Sequence, residues 1–347
     1  MILVSLRDLQ FRRRRFVVGI VGTSVVLALT LILAGVSSSF VNEVRRTVQA
    51  FDAASWVIPD GATGPFLSSE TLPANLADQI RATGADAVPV ALIRGSLPID
   101  GEPTDVNLIG VPPGTFADPP VTEGRAPRDA TEIVIDDYLD TDVGEELELN
   151  GRPVVVVGRT DGLSYAAGVP SAYVVLPLAQ QIGFRGAPLA STVITPDPLD
   201  DVPPGFHVIG NEAVKDDLIE PIAQARQTIY MVAGLLWLVA AMIIGSIVYL
   251  SSLDRGRDFA VFKAIGATDR SLLVGIVLQA LLLTGAAYVI GSGLSRVLAP
   301  LLPMQTEISG LTYVALAGVA VVVAALASLA GVRRAIAVDP ALAFGGA

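Results

Sequence analysis

Few side chains in this 347-residue chain have the types and spacing that chemistry requires. His207 is the sole histidine, and it opens a strand-like run, His207–Gly210. A core or surface histidine fits that setting better than a ligand. There is no cysteine, which excludes disulfides, thiol nucleophiles and cysteine-based metal sites. No cluster of His, Asp and Glu has metal-ligand spacing. Gly162-Leu163-Ser164-Tyr165 lacks the second glycine of a nucleophile elbow, so no serine triad can be built on it. Two acidic pairs, Asp136-Asp137 and Glu145-Glu146, stand beside strand ends, where solvated turns explain them more simply than paired catalytic carboxylates. No G-x-x-x-x-G-K-[ST] run occurs, so any ATP would have to be bound by another subunit. The expectation is a non-catalytic chain with no metal and no cofactor of its own.

The sharpest local signal is the segment Ser252–Ser271, which reads SLDRGRDFAVFKAIGATDRS. Wound as a helix, it places Phe259, Phe262 and Ile265 or Gly266 on one side. Arg255, Arg257 and Asp258 cluster at its start, and Gly266 would end it. Such a helix either lies on a membrane surface or plugs into a groove on a partner. The residues alone leave both readings open.

What positions that segment is a set of apolar runs. A first run, Phe16–Val36, follows a basic N-terminus, and three more crowd the C-terminal part at Ile229–Leu250, Leu272–Ala299 and Leu311–Val332. At about 1.5 Å per residue, each is long enough to cross roughly 30 Å of hydrocarbon. A backbone in lipid must satisfy its own hydrogen bonds, so these runs should be helices. The expected fold class is a polytopic α-helical membrane protein: four transmembrane helices (1 + 3), with an α+β extracytoplasmic domain between helices one and two. The expected division is a cytoplasmic N-terminus at 1–15, a first span at 16–36 and an outer stalk and core domain at 37–228. Spans follow at 229–250, 272–299 and 311–332, separated by a cytoplasmic loop at 251–271 and an outer loop at 300–310, with a cytoplasmic tail at 333–347.

Orientation follows from Lys and Arg. Arg7 and Arg12 to Arg15 precede the first span, Arg255, Arg257, Lys263 and Arg270 fill the loop, and Arg333 and Arg334 follow the last span. With four spans these all share one side, the cytoplasm, and outvote Arg45, Arg46 and Arg296. The reading is a multi-pass protein of the plasma membrane with both termini cytoplasmic and the lipid bilayer as its first partner. The first span is expected to be an uncleaved anchor, since its apolar stretch is long and no A-x-A site follows it.

Residues 40–228 hold 28 acidic against 11 basic side chains, so the net charge of −11 belongs to the outer segment. That acidity serves solubility and argues against a nucleic-acid partner. Within it, residues 37–58 have helical spacing, and Asn211–Thr228 reads as a second helix returning to the membrane; they either form a two-helix stalk or pack on the outer domain. Leu72–Thr83 reads as a helix, and eight strand-like runs follow from Ala87 to Gly210, with Asn150-Gly151 as a hairpin turn. Small residues recur at four-residue spacing, Ala287, Gly291 and Ser295 in one span and Ala320, Ala324 and Ser328 in another, which marks close helix packing. No Asp, Glu, Lys or His lies deep in a span, which weighs against ion-coupled transport.

The stretch Arg257-Asp-Phe-Ala-Val-Phe-Lys-Ala-Ile-Gly-Ala267 resembles the R-E-x-A-x-L-K-A-x-G-A signature of FtsX-like/MacB-like ABC transporter permeases, most closely the short actinobacterial type. Val338-Asp-Pro-Ala-Leu-Ala-Phe344 resembles their terminal D-P-x-x-A-L tail, and the segments around Glu123-Gly-Arg125, Glu132–Asp137, Val143–Leu149 and Val154–Gly158 resemble their periplasmic core domain. The resemblance implies a homodimer working with two ABC ATPase subunits that bind ATP and Mg. It makes the loop a coupling helix that docks on the ATPase. Carried over by position, Arg257, Asp258, Phe259, Val261, Phe262, Lys263, Ile265 and Gly266 form that docking surface. Asp258 stands where the family often has Glu, and Phe262 where it has Leu. The implied function is a permease that couples ATP hydrolysis to extracytoplasmic motion, exporting or extracting an amphipathic substrate. The alternative is an FtsX-type scaffold that regulates a cell-wall hydrolase through an extracytoplasmic partner, with no transport.

Overall fold

Hydrophobic patterning sorts the chain into long helices and a two-faced sheet. The computed structural model describes residues 13–99, 101–166, 168–254, 256–266, 268–301 and 308–336. Arg7, Arg12, Arg255 and the tail Val338–Phe344 lie outside the described residues, as does most of the 300–310 loop. In chain order the elements are α1 (Arg13–Ala50), β1 (Ser55–Pro59), β2 (Leu72–Pro73), α2 (Leu76–Arg81), β3 (Val88–Ile99), β4 (Glu102–Val111), β5 (Glu123–Gly124), β6 (Glu132–Asp136) and β7 (Glu146–Leu149). They continue with β8 (Arg152–Thr160), β9 (Ser164–Tyr165), β10 (Val169–Val175), α3 (Leu176–Gly183), β11 (Leu189–Ala190), β12 (Thr192–Thr195) and β13 (Phe206–Gly210). The C-terminal part is α4 (Asn211–Asp254), α5 (Gly256–Ala264), α6 (Asp269–Leu298) with a 3-10 turn at Ala299–Leu301, and α7 (Gly310–Ile336). The chain divides into two units: Phe40–Ala225, and the flanking parts up to Ser39 and from Arg226 onward.

The Phe40–Ala225 unit is α+β. Its main sheet runs β13-β1-β12-β3-β4-β10-β6-β8-β5, with β7 added to β8 and β9 to β10. Parallel pairs occur at β4–β10 and β6–β8, and the rest of the ladder is antiparallel. Both faces are covered. Leu108 and Ile109 are neighbours on β4, yet Leu108 joins the cluster that includes Leu176, Leu178 and Ala179 of α3, while Ile109 joins Phe51, Trp56 and Tyr173. A side chain at Gly110 would stand 2.2 Å from the Ala179 β-carbon, so α3 packs on β4 at glycine distance. Asn150 and Gly151 both take positive φ between the paired residues Leu149 and Arg152, the two-residue hairpin that the sequence predicts.

Three local expectations change. The helix read over 37–58 stops at Ala50; Asp52 takes φ of +48° and donates its N–H to the Gln49 carbonyl at 3.2 Å. Ser55–Pro59 then becomes β1, because Trp56, Val57 and Ile58 are fully buried between β12 and β13. The helix read over 72–83 shrinks to α2, since Leu72-Pro73 pairs with β11. α3 has no counterpart in the sequence reading; Pro177 occupies its first turn, where its missing N–H costs nothing.

Among the described residues, α1, α4, α6 and α7 are the four helices long and apolar enough to cross a membrane. The small-residue faces are packing faces: Ala287, Gly291, Ser295, Ala320, Ala324 and Ser328 are all buried. A β-carbon at Gly291 would meet the Ser24 carbonyl oxygen at 2.8 Å and the Ala28 nitrogen at 3.3 Å, so α1 and α6 cross backbone to backbone there. Gln279 of α6, also buried, donates to the Ser251 hydroxyl of α4 at 3.0 Å.

Candidate functional site

α5 is short, and its placement comes from one face. Phe259 is 5% exposed and Ala260 fully buried; Phe259 clusters with Phe16, Val248, Leu272 and Ile276. Val261 (47% exposed) and Ile265 (75% exposed) are left uncovered. Ile265 and Gly266 close the helix by donating to the Val261 and Lys263 carbonyls at 3.1 and 3.0 Å. Gly266 takes φ of +96°, the left-handed end at which glycine is favoured. Thr268 then caps α6, accepting from the Ser271 N–H at 3.3 Å. Lys263 reaches Asp269 at 3.0 Å, which ties the end of α5 to the start of α6.

Of the expected docking residues, Asp258, Val261, Ile265 and Gly266 are exposed, Lys263 is largely covered, and Phe259 faces the helical core. The side chains of Arg257 and Phe262 lie outside the described ones. The structure thus divides the segment into an inner anchor and an outer apolar pair. Gln279 and Ser251 were not anticipated as part of this region; a lone glutamine inside an apolar run is the signal that marks them.

The second feature is how the domain-side ends of α1 and α4 are held. Residues 40–50 of α1 and 211–225 of α4 belong to the α+β unit, and Val44, Val48, Phe51, Val214 and Leu218 are buried in its core. Of the two readings of these segments, packing on the domain describes these ends. Polar bonds fix them further. Thr47 donates to the Ser164 carbonyl at 2.8 Å, and Glu43 accepts from the Gly168 N–H at 2.9 Å. Trp56 donates its indole N–H to Asn211 at 2.8 Å, and Asn211 donates to the Ala53 carbonyl at 2.8 Å. Asp217 accepts from the N–H groups of Phe66 and Leu67 at 3.0 and 3.4 Å.

One acidic pair departs from the sequence reading. Asp136 is fully buried, not in a solvated turn; it accepts from the Leu163 N–H at 2.6 Å and the Thr160 hydroxyl at 3.0 Å. Burial pushes its carboxyl up to about 7. Its role is to hold the 160–163 turn against β6, and no metal-binding group of His, Asp and Glu occurs among the described residues.

Comparison with known proteins fits this layout. The model of the MacB-like periplasmic core domain matches residues 18–203, more than half of the chain, and that of the FtsX-like permease C-terminal matches residues 230–340. The chain belongs to the FtsX-like/MacB-like ABC transporter permeases. Relatives in this family match end to end. An "uncharacterized ABC transporter permease" of Mycobacterium tuberculosis (strain ATCC 25618 / H37Rv), Rv2563, is 38% identical over 100% of both chains. A second from the same strain, Rv0072, is 36% identical over 100% of both. Among solved structures, the extracellular domain of the noncanonical ABC-type transporter YknZ from Gram-positive bacteria aligns with 46% of this chain and 99% of its own length, at 17% identity and a TM-score of 0.33. The FtsX-like match spans α5 whole, and the MacB-like match spans all strands from β1 to β12.

Proposed function

We propose that this permease couples a separate ABC ATPase to movement of its α+β domain, and that α5 is the contact between them. The observation that carries the reading is the division of α5. Phe259 and Ala260 fix the helix to the bundle, while Val261 and Ile265 stand exposed beside them. A rigidly seated helix with an uncovered apolar pair suits insertion into a partner groove. In this reading the segment lies on the cytoplasmic side, where ATP is available, with both termini on that side and the α+β domain outside; Arg257, Lys263 and Arg270 support that orientation. The ATPase brings ATP and Mg, and the permease works as a homodimer in the plasma membrane.

Closure of the ATPases would bring the two α5 helices together, biasing a two-state arrangement of the spans. α1 and α4 then act as levers, because their far ends are built into the domain core through Val48, Phe51, Val214 and Leu218. The substrate is an amphipathic molecule handled at the outer surface rather than along a polar channel, and the movement is export or extraction. This is tested by co-expressing the chain with candidate ABC ATPases of its source organism and co-purifying the complex. Ile265→Asp, at an exposed position, should leave the melting temperature unchanged and remove the ATPase from the complex. An ATPase retained at wild-type stoichiometry by Ile265→Asp and by Val261→Asp would overturn the assignment of α5.

A further inference from the structure

The α+β unit contains a cavity of about 480 Å³, a volume within the usual range of small-molecule sites. Its walls come from separate parts of the fold. Phe66 and Leu67 lie in the segment after β1, Leu92 and Arg94 on β3, Tyr165 on β9 and Leu218 on α4. Leu92 and Arg94 are two residues apart on a strand and so face the same way. Phe66 and Tyr165 meet edge to face, ring centroids 5.0 Å apart, as a rigid aromatic side. Leu67 is 47% exposed, an apolar side chain on the wall that is left uncovered.

The polar groups are unevenly spent. Asn107, which also lines the cavity, donates to the Tyr165 and Val169 carbonyls at 3.0 and 2.9 Å. Arg94 is exposed and has no ion-pair partner among the described residues. Among the described residues it is the sole cationic side chain on the wall, and no carboxylate lines the cavity with it. Asp217, next to Leu218, is turned to the backbone N–H groups of Phe66 and Leu67. In a segment where acids outnumber bases 28 to 11, an arginine without a carboxylate beside an apolar hollow is out of keeping with a surface that serves solubility. A guanidinium fork matches a carboxylate or phosphate, and the aromatic and aliphatic wall matches a chain or ring system.

We infer that this cavity binds an amphipathic anion, one apolar chain or ring system carrying a single carboxylate or phosphate that Arg94 receives. The site does not depend on the role of α5, and its test involves no ATPase. The probe is decanoic acid with a diazirine at the chain end, applied to the full-length protein in phosphatidylcholine nanodiscs; the methyl ester serves as the neutral control. After illumination, labelled peptides are mapped by mass spectrometry.

Saturable labelling by the acid at Phe66–Ser69, Leu92–Arg94 or Leu218–Pro221 is expected, with the ester confined to the spans. Competition by decanoate, by decyl phosphate or by both supports the site and names the head group. Arg94→Gln, at an exposed position, should weaken labelling there about ten-fold, the loss of one charge-assisted pair, and Arg94→Lys should restore part of it. Equal labelling of the cavity by acid and ester, an Arg94→Gln variant that labels like wild type, or labelling in the spans alone would each overturn the inference.

Discussion

Asp136 and Asp137 are adjacent in the chain and differ in surroundings. Asp137 is exposed and accepts from the Gly162 N–H at 3.1 Å, while Asp136 is buried at the end of β6. The sequence hides this difference because a doubled acid after a strand reads as a turn. The signal that was present is the run Ile133-Val134-Ile135, apolar on successive positions, which marks a strand buried on both faces whose next residue is also inside. The consequence is a pH dependence. In the unfolded chain this carboxyl ionises near its ordinary value of 3.8, whereas in the fold burial raises it to about 7. Between those values the folded state binds the extra proton, so stability falls as pH rises through that window and levels off above it. The unfolding midpoint of the α+β domain should therefore drop from pH 5 to pH 8. Asp136→Asn, which keeps an acceptor for Leu163 and Thr160, should make the drop shallower. Melting curves at a series of pH values, read from near-UV dichroism, check this; an unchanged slope in the variant would assign the dependence to other groups.

At the scale of elements, legibility followed period and turn chemistry. Four apolar runs, the Asn150-Gly151 hairpin and the small-residue faces were readable because each rests on a local rule. β1 was not, because the helical spacing of Phe40, Val44, Val48 and Phe51 was carried on to residue 58, and only pairing with β12 and β13 makes Ser55–Pro59 extended. α3 was hidden because the strand-like run Ala172–Leu176 passes straight into its eight residues, and the inward turn of Phe259 was hidden because a short helix shows its apolar residues but not which of them the bundle takes. The helix crossings make a graded prediction. A β-carbon at Gly291 would press on the Ser24 backbone, which cannot move alone, so Gly291→Ala should destabilise the bundle by about 1–3 kcal/mol, the usual range for overpacking. At Gly19 the corresponding clash is with the tip of the Ile247 side chain, which can turn aside, so Gly19→Ala should cost less. Thermal unfolding of both variants in the same detergent gives the order; Gly19→Ala as the more damaging change would contradict the crossing at Gly291.

For the whole molecule, the family assignment and the geometry meet in a single idea: an ATPase outside this chain moves a domain that lies far along the sequence from α5. The elements available for this are α1 and α4, each a single continuous helix whose far end is locked by Thr47, Glu43, Asn211 and Asp217 into the α+β core. The proposed relay rests on the family signature rather than on any residue pattern, for a physical reason. Levers need no special residue types, only unbroken helices and buried ends. The chain has no native cysteine, so a single spin label can be placed on the α+β domain by Glu102→Cys, an exposed position. The decisive measurement is the label-to-label distance distribution of the proposed homodimer, co-purified with its ATPase in nanodiscs, in the ADP state and in an ATP-trapped state. The account predicts that the distribution shifts between the two states and that Ile265→Asp abolishes the shift. Identical distributions in both states, with the ATPase bound and hydrolysing, would contradict it.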